Sequence, residues 1–178
     1  MRRILFLLPI LIVAALVAFF WRGLDPNRDP RALPSALIGK PAPAVDLPGL
    51  IEGAPRLQLA SFKGKPVAVN FFASWCLPCR AEHPFLKQLS ADLGVPFIGI
   101  AWKDKSDAAR SYLADLGDPY AATGADDSGR TGIDFGITGV PETFLVDGDG
   151  IIRYRLAAPI TDDALKAQLA AEIAKVKQ

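Results

Sequence analysis

Two cysteines placed three residues apart constrain this chain more than any other feature. Cys76 and Cys79 are the only cysteines among its 178 residues, and they follow residues 67–72, a β-branched and aromatic run of the buried-strand type. A helix is predicted from about Cys76 to Leu93, because Gly94 is the small residue expected just past a helix end. The thiol pair is therefore placed where a strand is followed by a helix.

The chain after residue 40 alternates between short β-rich runs and helical stretches. Residues 96–101 form a second buried run. Ser106 is predicted to cap a helix over residues 107–116, which Gly117 ends. A strand, a long helical connection and a second strand indicate parallel pairing of the two strands.

A hairpin is predicted further along, where residues 143–146 and 151–156 flank the turn sequence Asp-Gly-Asp-Gly. Both Gly148 and Gly150 suit positive φ in such a turn. Adjacent strands joined by a tight turn run antiparallel, so the sheet should be mixed.

A final amphipathic helix is predicted from Asp162 to about Val176, with Thr161 as its cap. Acidic residues at its start and lysines near its end suit the helix dipole. The whole pattern predicts an α/β fold over residues 40–178, with a central mixed β-sheet flanked by helices.

Met1 is followed by two arginines and then by an uncharged run over residues 4–21, which is broken only by Pro9. This run exceeds the roughly 7 to 15 residues of a cleavable signal core and just reaches the length that spans a bilayer. Leu16 and Ala18 fit a cleavage site poorly. Residues 1–21 are therefore predicted to form an uncleaved transmembrane anchor rather than a cleaved signal peptide.

A basic start before an apolar span places the amino terminus in the cytoplasm and the following domain outside it, in an oxidising compartment. Prolines punctuate residues 22–39, which are predicted to form a semi-rigid linker between anchor and domain. The formal net charge of +1 gives no electrostatic footprint for nucleic acid.

A Cys-x-x-Cys pair at the opening of a helix suits thiol redox chemistry. Residues i and i+3 share one helix face, so the two sulfurs can close a small disulfide ring. The positive end of the helix stabilises a thiolate on Cys76, and Cys79, one turn further in, is more buried. Cys76 is therefore predicted to be the exposed, attacking thiol, and Cys79 the one that resolves the mixed disulfide.

Two other uses of the cysteines compete with the redox couple. A structural zinc site requires four ligands, whereas the chain has only two cysteines and a single histidine, His83. A soft copper(I) site with His83 is not excluded, although this residue is more simply a helix-surface or packing residue. A structural disulfide across so short a loop would stabilise little. We expect no resident metal and no cofactor beyond the Cys76–Cys79 disulfide.

Several motifs carry a resemblance. Trp-Cys-Leu-Pro-Cys after a strand, with a distant Gly-Val-Pro-Glu-Thr, resembles the thioredoxin superfamily. With the amino-terminal apolar run and three further motifs, the chain more narrowly resembles the CcmG/DsbE thiol-disulfide interchange proteins of cytochrome c maturation. The segments that carry this likeness, which extends to about Arg155, are residues 75–79, 79–84, 126–129, 139–143 and 150–155.

The resemblance implies a thioredoxin-like fold with Pro141 as a cis-proline beside the dithiol. The backbone of Val140 would then pair with an extended client segment as a short strand. Trp75 would cover one side of the sulfurs, although it could also be an ordinary core aromatic. The resemblance also implies that Pro78, which lies within the Cys-x-x-Cys motif, is one of the residues surrounding the site.

Glu82 and Glu142 match acidic residues near the active site of this family, although an isolated glutamate is usually a solvated surface residue. Asn70 departs from the wider superfamily, because thioredoxins carry a buried aspartate at the aligned position. An amide is not a base. We therefore expect Glu82 to handle the proton of Cys79, so that Cys76, Cys79, Pro141 and Glu82 form the catalytic set.

The function that the resemblance implies is reduction of disulfides in apocytochrome c, or in a cytochrome c maturation partner, on the periplasmic side of the inner membrane. Its dithiol would be restored by a transmembrane electron donor of the DsbD or CcdA type. Three alternatives stay open: a TlpA- or ResA-like reductase with another client, a copper-handling module, and a peroxidase. The last is least favoured, because Cys76 lacks the Thr-x-x-Cys setting of peroxiredoxins.

Overall fold

A computed structural model describes residues 2–23 and 35–177. Most of the predicted linker, residues 24–34, lies outside them. The chain divides into two compact units, one ending at Leu33 and one beginning at Pro34. Helix α1, Arg2–Gly23, belongs to the first unit. Among the helices of the described residues, none meets the combined length and hydropathy required of a membrane span.

The second unit holds seven strands, four α-helices and a short 3-10 helix, Leu59–Phe62, within its described residues. The strands are β1 Asp46–Leu47, β2 Leu57–Gln58, β3 Val67–Phe72, β4 Phe97–Trp102, β5 Ala122–Asp126, β6 Glu142–Val146 and β7 Ile152–Leu156. The helices are α2 Leu77–Asp92, α3 Ser106–Leu116, α4 Arg130–Asp134 and α5 Asp163–Val176.

Five strands form one mixed sheet in the order β5-β4-β3-β6-β7. Strands β3, β4 and β5 run parallel, as helical crossovers require, while β6 is antiparallel to both of its neighbours. The predicted α/β fold with a mixed central sheet is therefore confirmed. The hairpin between β6 and β7 is also confirmed, with Gly150 at φ +82° in its turn, although Gly148 does not adopt positive φ.

Both predicted helix caps are wrong by one residue. Ser106 is the first residue of α3, and the cap position is held by Lys105, whose N–H donates to Asp104 Oδ1 at 2.8 Å. Thr161 precedes the true cap of α5, Asp162, which accepts from the Leu165 N–H at 2.8 Å. In each case an aspartate carboxylate satisfies a backbone donor near the helix start.

The central strand β3 is buried on both faces. Val67, Val69 and Phe71 point into the core that also holds Phe135 and Phe144. The opposite face packs under α2 and α5, and there a polar side chain, Asn70, occupies the position between Ala68 and Phe72. A buried amide must be hydrogen-bonded, so the side chains above Asn70 have to be polar as well.

Strand β5 was missed because its sequence, Ala-Thr-Gly-Ala-Asp, lacks the branched and aromatic residues typical of strands. Its outer edge is paired with the segment after β1. The Leu50 N–H donates to Thr123 O at 3.1 Å, and the Ala125 N–H donates to Pro48 O at 3.0 Å. Strands β1 and β2 and helix α4 were also missed, since each is only two to five residues long.

Gly99 on β4 makes room for an aromatic ring that reaches the centre of the sheet. It is paired in register with Asn70, and a Cβ built on it would lie 2.6 Å from the Tyr120 ring. We expect Gly99→Ala to destabilise the fold by about 1–3 kcal/mol, because the ring must move. Chemical denaturation measures the loss.

The matched control for this substitution is Gly139→Ala, since a Cβ there meets no atom within 4 Å and its φ lies outside the left-handed region. Equal stability of the two variants would show that the contact between Gly99 and Tyr120 does not constrain the fold.

Candidate active site

Cys76 and Cys79 form a disulfide at the amino-terminal end of α2. Cys76 occupies the cap position, and its Sγ lies 3.1 Å from the Cys79 N–H, one of the donors that has no partner within the helix. Pro78 fits the first turn because a backbone N–H is not needed there. In the reduced protein this donor and the helix dipole favour a thiolate on Cys76.

The predicted exposure of Cys76 is wrong for the disulfide form. Cys76 is 4% exposed and Cys79 is 1% exposed, so both residues are buried. Burial follows from contacts of the cysteines with the cluster around Phe72 and Ala73. The difference between the two sulfurs therefore lies in the backbone donor at Cys76 rather than in solvent exposure.

The Val140–Pro141 peptide bond is cis, as the resemblance implies. Val140 O lies 3.4 Å from Cys76 Sγ, so the loop before the strand that begins at Glu142 reaches the disulfide. The two cysteines are thereby brought close to Val140 and Pro141, which lie more than 60 residues further along the chain.

Glu142 is buried and paired, so its interpretation as a solvated surface residue is wrong. Arg155 on β7 donates to both of its carboxylate oxygens, at 2.8 and 3.0 Å. The same carboxylate accepts from the Thr138 N–H at 2.7 Å and the Gly139 N–H at 3.3 Å. Glu142 therefore fixes the loop that leads into the cis-proline.

Trp75 is not a core aromatic, because it is 58% exposed next to the disulfide. Its Nε1–H donates to Lys103 O at 3.2 Å, and its ring centroid lies 6.5 Å from that of Trp102. The indole is therefore held on the surface beside Cys76.

Asp104, which sequence reasoning missed, fixes the loop before the cysteines. Its carboxylate accepts from the Ser74 N–H at 2.5 Å and from the Ser74 hydroxyl at 2.9 Å. The sequence does place Asp104 two residues after β4. Because β4 runs parallel to β3, the ends of both strands lie at the same edge of the sheet, which brings Asp104 close to the loop that follows β3.

Glu82 is fully buried in the middle of the apolar face of α2, so its interpretation as a surface residue is also wrong. One carboxylate oxygen accepts from Asn70 Nδ2 and the other from the Ile160 N–H, each at 3.1 Å. Burial raises the pKa of Glu82 to about 7, and the two N–H donors lower it only in part. Glu82 therefore titrates near neutral pH.

Asn70 links Glu82 to two residues that sequence reasoning missed. Its Nδ2 also donates to Thr143 Oγ1 at 3.0 Å, and its Oδ1 accepts from the Tyr120 hydroxyl at 2.7 Å. No sequence spacing signals this cluster, because its members come from β3, α2, β6 and the loop before β5.

His83 is a buried packing residue and does not lie on the helix surface. Its Nε2 contacts Gly117 O at 2.6 Å, and its Nδ1 contacts the Tyr112 hydroxyl at 3.3 Å, which itself donates to Cys79 O. Both ring nitrogens are thus engaged away from the sulfurs. Within residues 2–23 and 35–177, no group of three or more His, Cys, Asp or Glu residues is arranged to hold a metal.

The chain is similar to known proteins of thiol-disulfide chemistry. A family model described as Redoxin matches residues 37–170. The chain is 45% identical over 169 residues to the thiol:disulfide interchange protein HelX of Rhodobacter capsulatus, covering 95% of each chain. It is 45% identical over 168 residues to the thiol:disulfide interchange protein DsbE of Escherichia coli K12, covering 90% of this chain and 88% of the relative.

A crystal structure of a thiol:disulfide interchange protein of the thioredoxin family from Chlorobium tepidum superposes on the chain with a TM-score of 0.63. The two sequences are 30% identical, and the match covers 78% of this chain and 96% of the other. The central sheet and its helices therefore have the thioredoxin-like arrangement that the resemblance implies.

The raised pKa of Glu82 predicts a pH-dependent stability. A carboxyl group that titrates at about 7 in the folded chain and at 4.5 in the unfolded chain stabilises the fold fully below pH 4.5, and this contribution is lost as pH rises through 7. The Glu82→Gln variant lacks this titration. We expect its stability relative to the native chain to rise by about 3 kcal/mol between pH 4.5 and 8.

Urea denaturation of the oxidised protein at both pH values measures this difference. Glu172→Gln on α5 is the control, since this glutamate pairs with Lys175 in an i,i+3 surface ion pair. A difference between Glu82→Gln and the native chain that stays constant with pH would contradict the raised pKa.

Proposed function

The chain belongs to the Redoxin family, among relatives of the DsbE and HelX thiol:disulfide interchange proteins, and from this we propose that it is a membrane-anchored periplasmic thiol-disulfide oxidoreductase that reduces disulfides during cytochrome c maturation. The observation that carries the proposal is the Cys76–Cys79 disulfide at the start of α2, facing the carbonyl of Val140 across the cis-proline loop. This arrangement presents one sulfur to a client backbone and keeps the second sulfur one helical turn behind it.

The proposed cycle transfers two electrons from the dithiol to a client disulfide. The Cys76 thiolate attacks one client sulfur, the client S–S bond breaks, and the other client sulfur leaves as a thiolate that takes up a proton. Cys79, having lost its own proton, then attacks Cys76 Sγ, breaks the mixed disulfide and releases the second client sulfur as a thiolate, which also takes up a proton. The products are a reduced client and the Cys76–Cys79 disulfide of this structure.

Client binding is assigned to the loop that precedes β6. Glu142 and Arg155 hold Thr138 and Gly139 in place, so the backbone at Val140 is ordered before a client arrives. An extended client segment would pair with that backbone through main-chain hydrogen bonds. The exposed indole of Trp75 would flank the same segment.

Glu82 is the proposed base that accepts the proton of Cys79. The two residues are three apart on the same buried face of α2, and Asn70, which replaces the aspartate of thioredoxins, is an amide that does not act as a base. A carboxylate with a pKa of about 7 is matched to proton transfer at neutral pH. It would take the Cys79 proton directly or through one water.

The proposed clients are apocytochrome c or a maturation protein that carries its disulfide, and the proposed donor of electrons is a transmembrane reductase of the DsbD or CcdA type. The uncharged run over residues 4–21 supports an anchor in the inner membrane, with the linker over residues 22–39 and the domain on the periplasmic side. The names of the relatives support the interchange reaction, and a TlpA- or ResA-like reductase remains the alternative within the class.

Trapping with Cys79→Ser tests the function. We expect this variant, expressed with its anchor in cells, to accumulate mixed disulfides through Cys76, because the second step of the cycle is blocked. Mass spectrometry of the trapped species should identify c-type apocytochromes or their maturation partners.

The Cys76→Ser variant is the matched control and should trap nothing. Trapped clients that are unrelated to c-type cytochromes would support the alternative reductase. Stoichiometric copper on the native chain, with no trapped client, would contradict a reductase.

Replacement of Glu82 by Gln tests the proton transfer. We expect the resolution of a preformed mixed disulfide to slow by roughly 10²-fold at neutral pH, since a positioned base is lost. In the native chain the resolution rate should rise with pH through about 7 as Glu82 ionises, and the variant should lose this rise. Rapid quenching and separation of the thiol species measures the rate, with Glu172→Gln as the control. An unchanged rate would refute the assignment of Glu82.

A further inference from the structure

Tyr120 is hydrogen-bonded to the Asn70 side chain. Its hydroxyl donates to Asn70 Oδ1 at 2.7 Å, while the Asn70 amino group points to Glu82 Oε1 at 3.1 Å. We propose that Tyr120 is a positioning residue, which locks the Asn70 amide with its amino group on Glu82 and thereby favours the carboxylate that proton transfer from Cys79 requires. This inference rests on the role of Glu82 under the proposed function.

The hydrogen bonds distinguish the two orientations of the Asn70 amide. In the observed orientation the phenol donates to the amide oxygen, and the amide N–H groups reach Glu82 and Thr143. With the amide turned over, its oxygen would face the Glu82 carboxyl group. Two acceptors cannot bond each other, so this orientation requires Glu82 to be protonated and to donate to the amide oxygen. The phenol O–H would then lose its acceptor, since within residues 2–23 and 35–177 its hydrogen-bond partner is Asn70 Oδ1.

The hydroxyls of Thr143 and Tyr120 can each donate or accept, so the contact lengths indicate which atom of the amide each one meets. The Tyr120 contact is 2.7 Å, as in O–H···O bonds, whereas the Thr143 contact is 3.0 Å, as in N–H···O bonds. The bias toward a donating amide therefore comes from the short contact to the phenol. Its strength depends on how firmly the Tyr120 ring is held.

The Tyr120 ring is fixed from two sides. It lies directly over Gly99, where a Cβ would come within 2.6 Å, and Gly99 is the strand neighbour of Asn70. It also stacks on Phe72 with a centroid distance of 5.3 Å and an interplanar angle of 22°. Burial, and then the charge of Glu82, raise the pKa of Tyr120 well above its ordinary value, so the phenol stays a donor at neutral pH.

The surroundings of Glu82 leave Asn70 as the adjustable donor. The Ile160 N–H, from the loop before α5, is part of the backbone and has no second orientation. The titratable groups facing Glu82 are the phenols of Tyr112 on α3 and Tyr120, and burial raises the pKa of Tyr112 to about 12. Thr143 of β6 and Asn70 of β3 do not titrate, so a change in the Glu82 titration reports on the hydrogen bonds.

The test is a direct titration of Glu82 in the oxidised full chain by carboxyl ¹³C NMR, with the Glu82→Gln variant identifying its signal. We expect Tyr120→Phe to raise the Glu82 midpoint by about half a pH unit or more, because the amide is freed to turn. Tyr112→Phe is the matched control. This variant removes a second buried phenol that also stacks on Phe72 but is hydrogen-bonded to Cys79 O and His83 instead of Asn70. The titration midpoint of Glu82 should therefore be unchanged.

Two further variants keep the outcome decisive. Gly99→Ala displaces the Tyr120 ring while keeping its hydroxyl, and should shift the midpoint in the same direction. In an Asn70→Ala background, Tyr120→Phe should add no further shift, as expected for a residue that acts through Asn70. An unchanged or lowered midpoint in Tyr120→Phe, or an equal rise in Tyr112→Phe, would overturn the inference.

The kinetics separate this inference from the proposed function. If Tyr120→Phe moves the titration while Glu82→Gln leaves the resolution rate unchanged, Tyr120 positions Asn70 but Glu82 is not the base. If Glu82→Gln slows resolution and Tyr120→Phe leaves the titration in place, Glu82 is the base and the role of Tyr120 is refuted. If both hold, the pH profile of the resolution rate moves upward in Tyr120→Phe together with the NMR midpoint.

Discussion

Burial of β3 on both faces is the constraint on which the rest of the structure depends. The strand is paired on both edges, with β4 and β6, and covered by packed side chains above and below. A polar residue within it has no water to bond, so Asn70 must find every partner inside the protein. Its partners, Glu82, Tyr120 and Thr143, join one helix, one loop and one strand to the centre of the sheet. The same strand leads directly to the loop that carries Cys76, which couples this polar cluster to the disulfide.

The elements that the sequence predicts well are those whose pattern is local. Strands β3 and β4, helix α2 and the hairpin carry long apolar runs or turn residues, whereas β5 is built from small residues and owes its place to pairing with β4 and the Pro48 segment. The site divides in the same way. Cys76, Cys79 and Pro141 follow from short motifs. The contacts of Asp104 with Ser74 and of Tyr120 with Asn70 join residues 30 and 50 positions apart, which no spacing rule foresees.

Glu82 and Glu142 are both buried rather than solvated, and their hydrogen-bond partners are different. Glu142 accepts hydrogen bonds from the guanidinium of Arg155 at both of its carboxylate oxygens, and this buried bidentate pair is a structural anchor. Glu82 faces only neutral N–H donors, so burial raises its pKa to about 7 and both protonation states are populated near neutral pH. The two residues are of the same type, so their surroundings make the difference: Glu142 holds the loop before the cis-proline, whereas Glu82 is suited to move a proton.

The burial of both sulfurs bears on how the second step of the proposed cycle can occur. In the proposed cycle a client would reach the dithiol from the side of Val140 and the exposed Trp75, because Val140 O lies 3.4 Å from Cys76 Sγ. A client seated there would cover the sulfurs further, and Cys79, which is 1% exposed even in the free protein, would be shut off from bulk water. A thiol in that position cannot lose its proton to solvent, yet only its thiolate attacks the mixed disulfide. The proposed cycle therefore calls for an internal base, and among the buried side chains that share the α2 face with Cys79, Glu82 is the one whose pKa near 7 suits it to accept that proton.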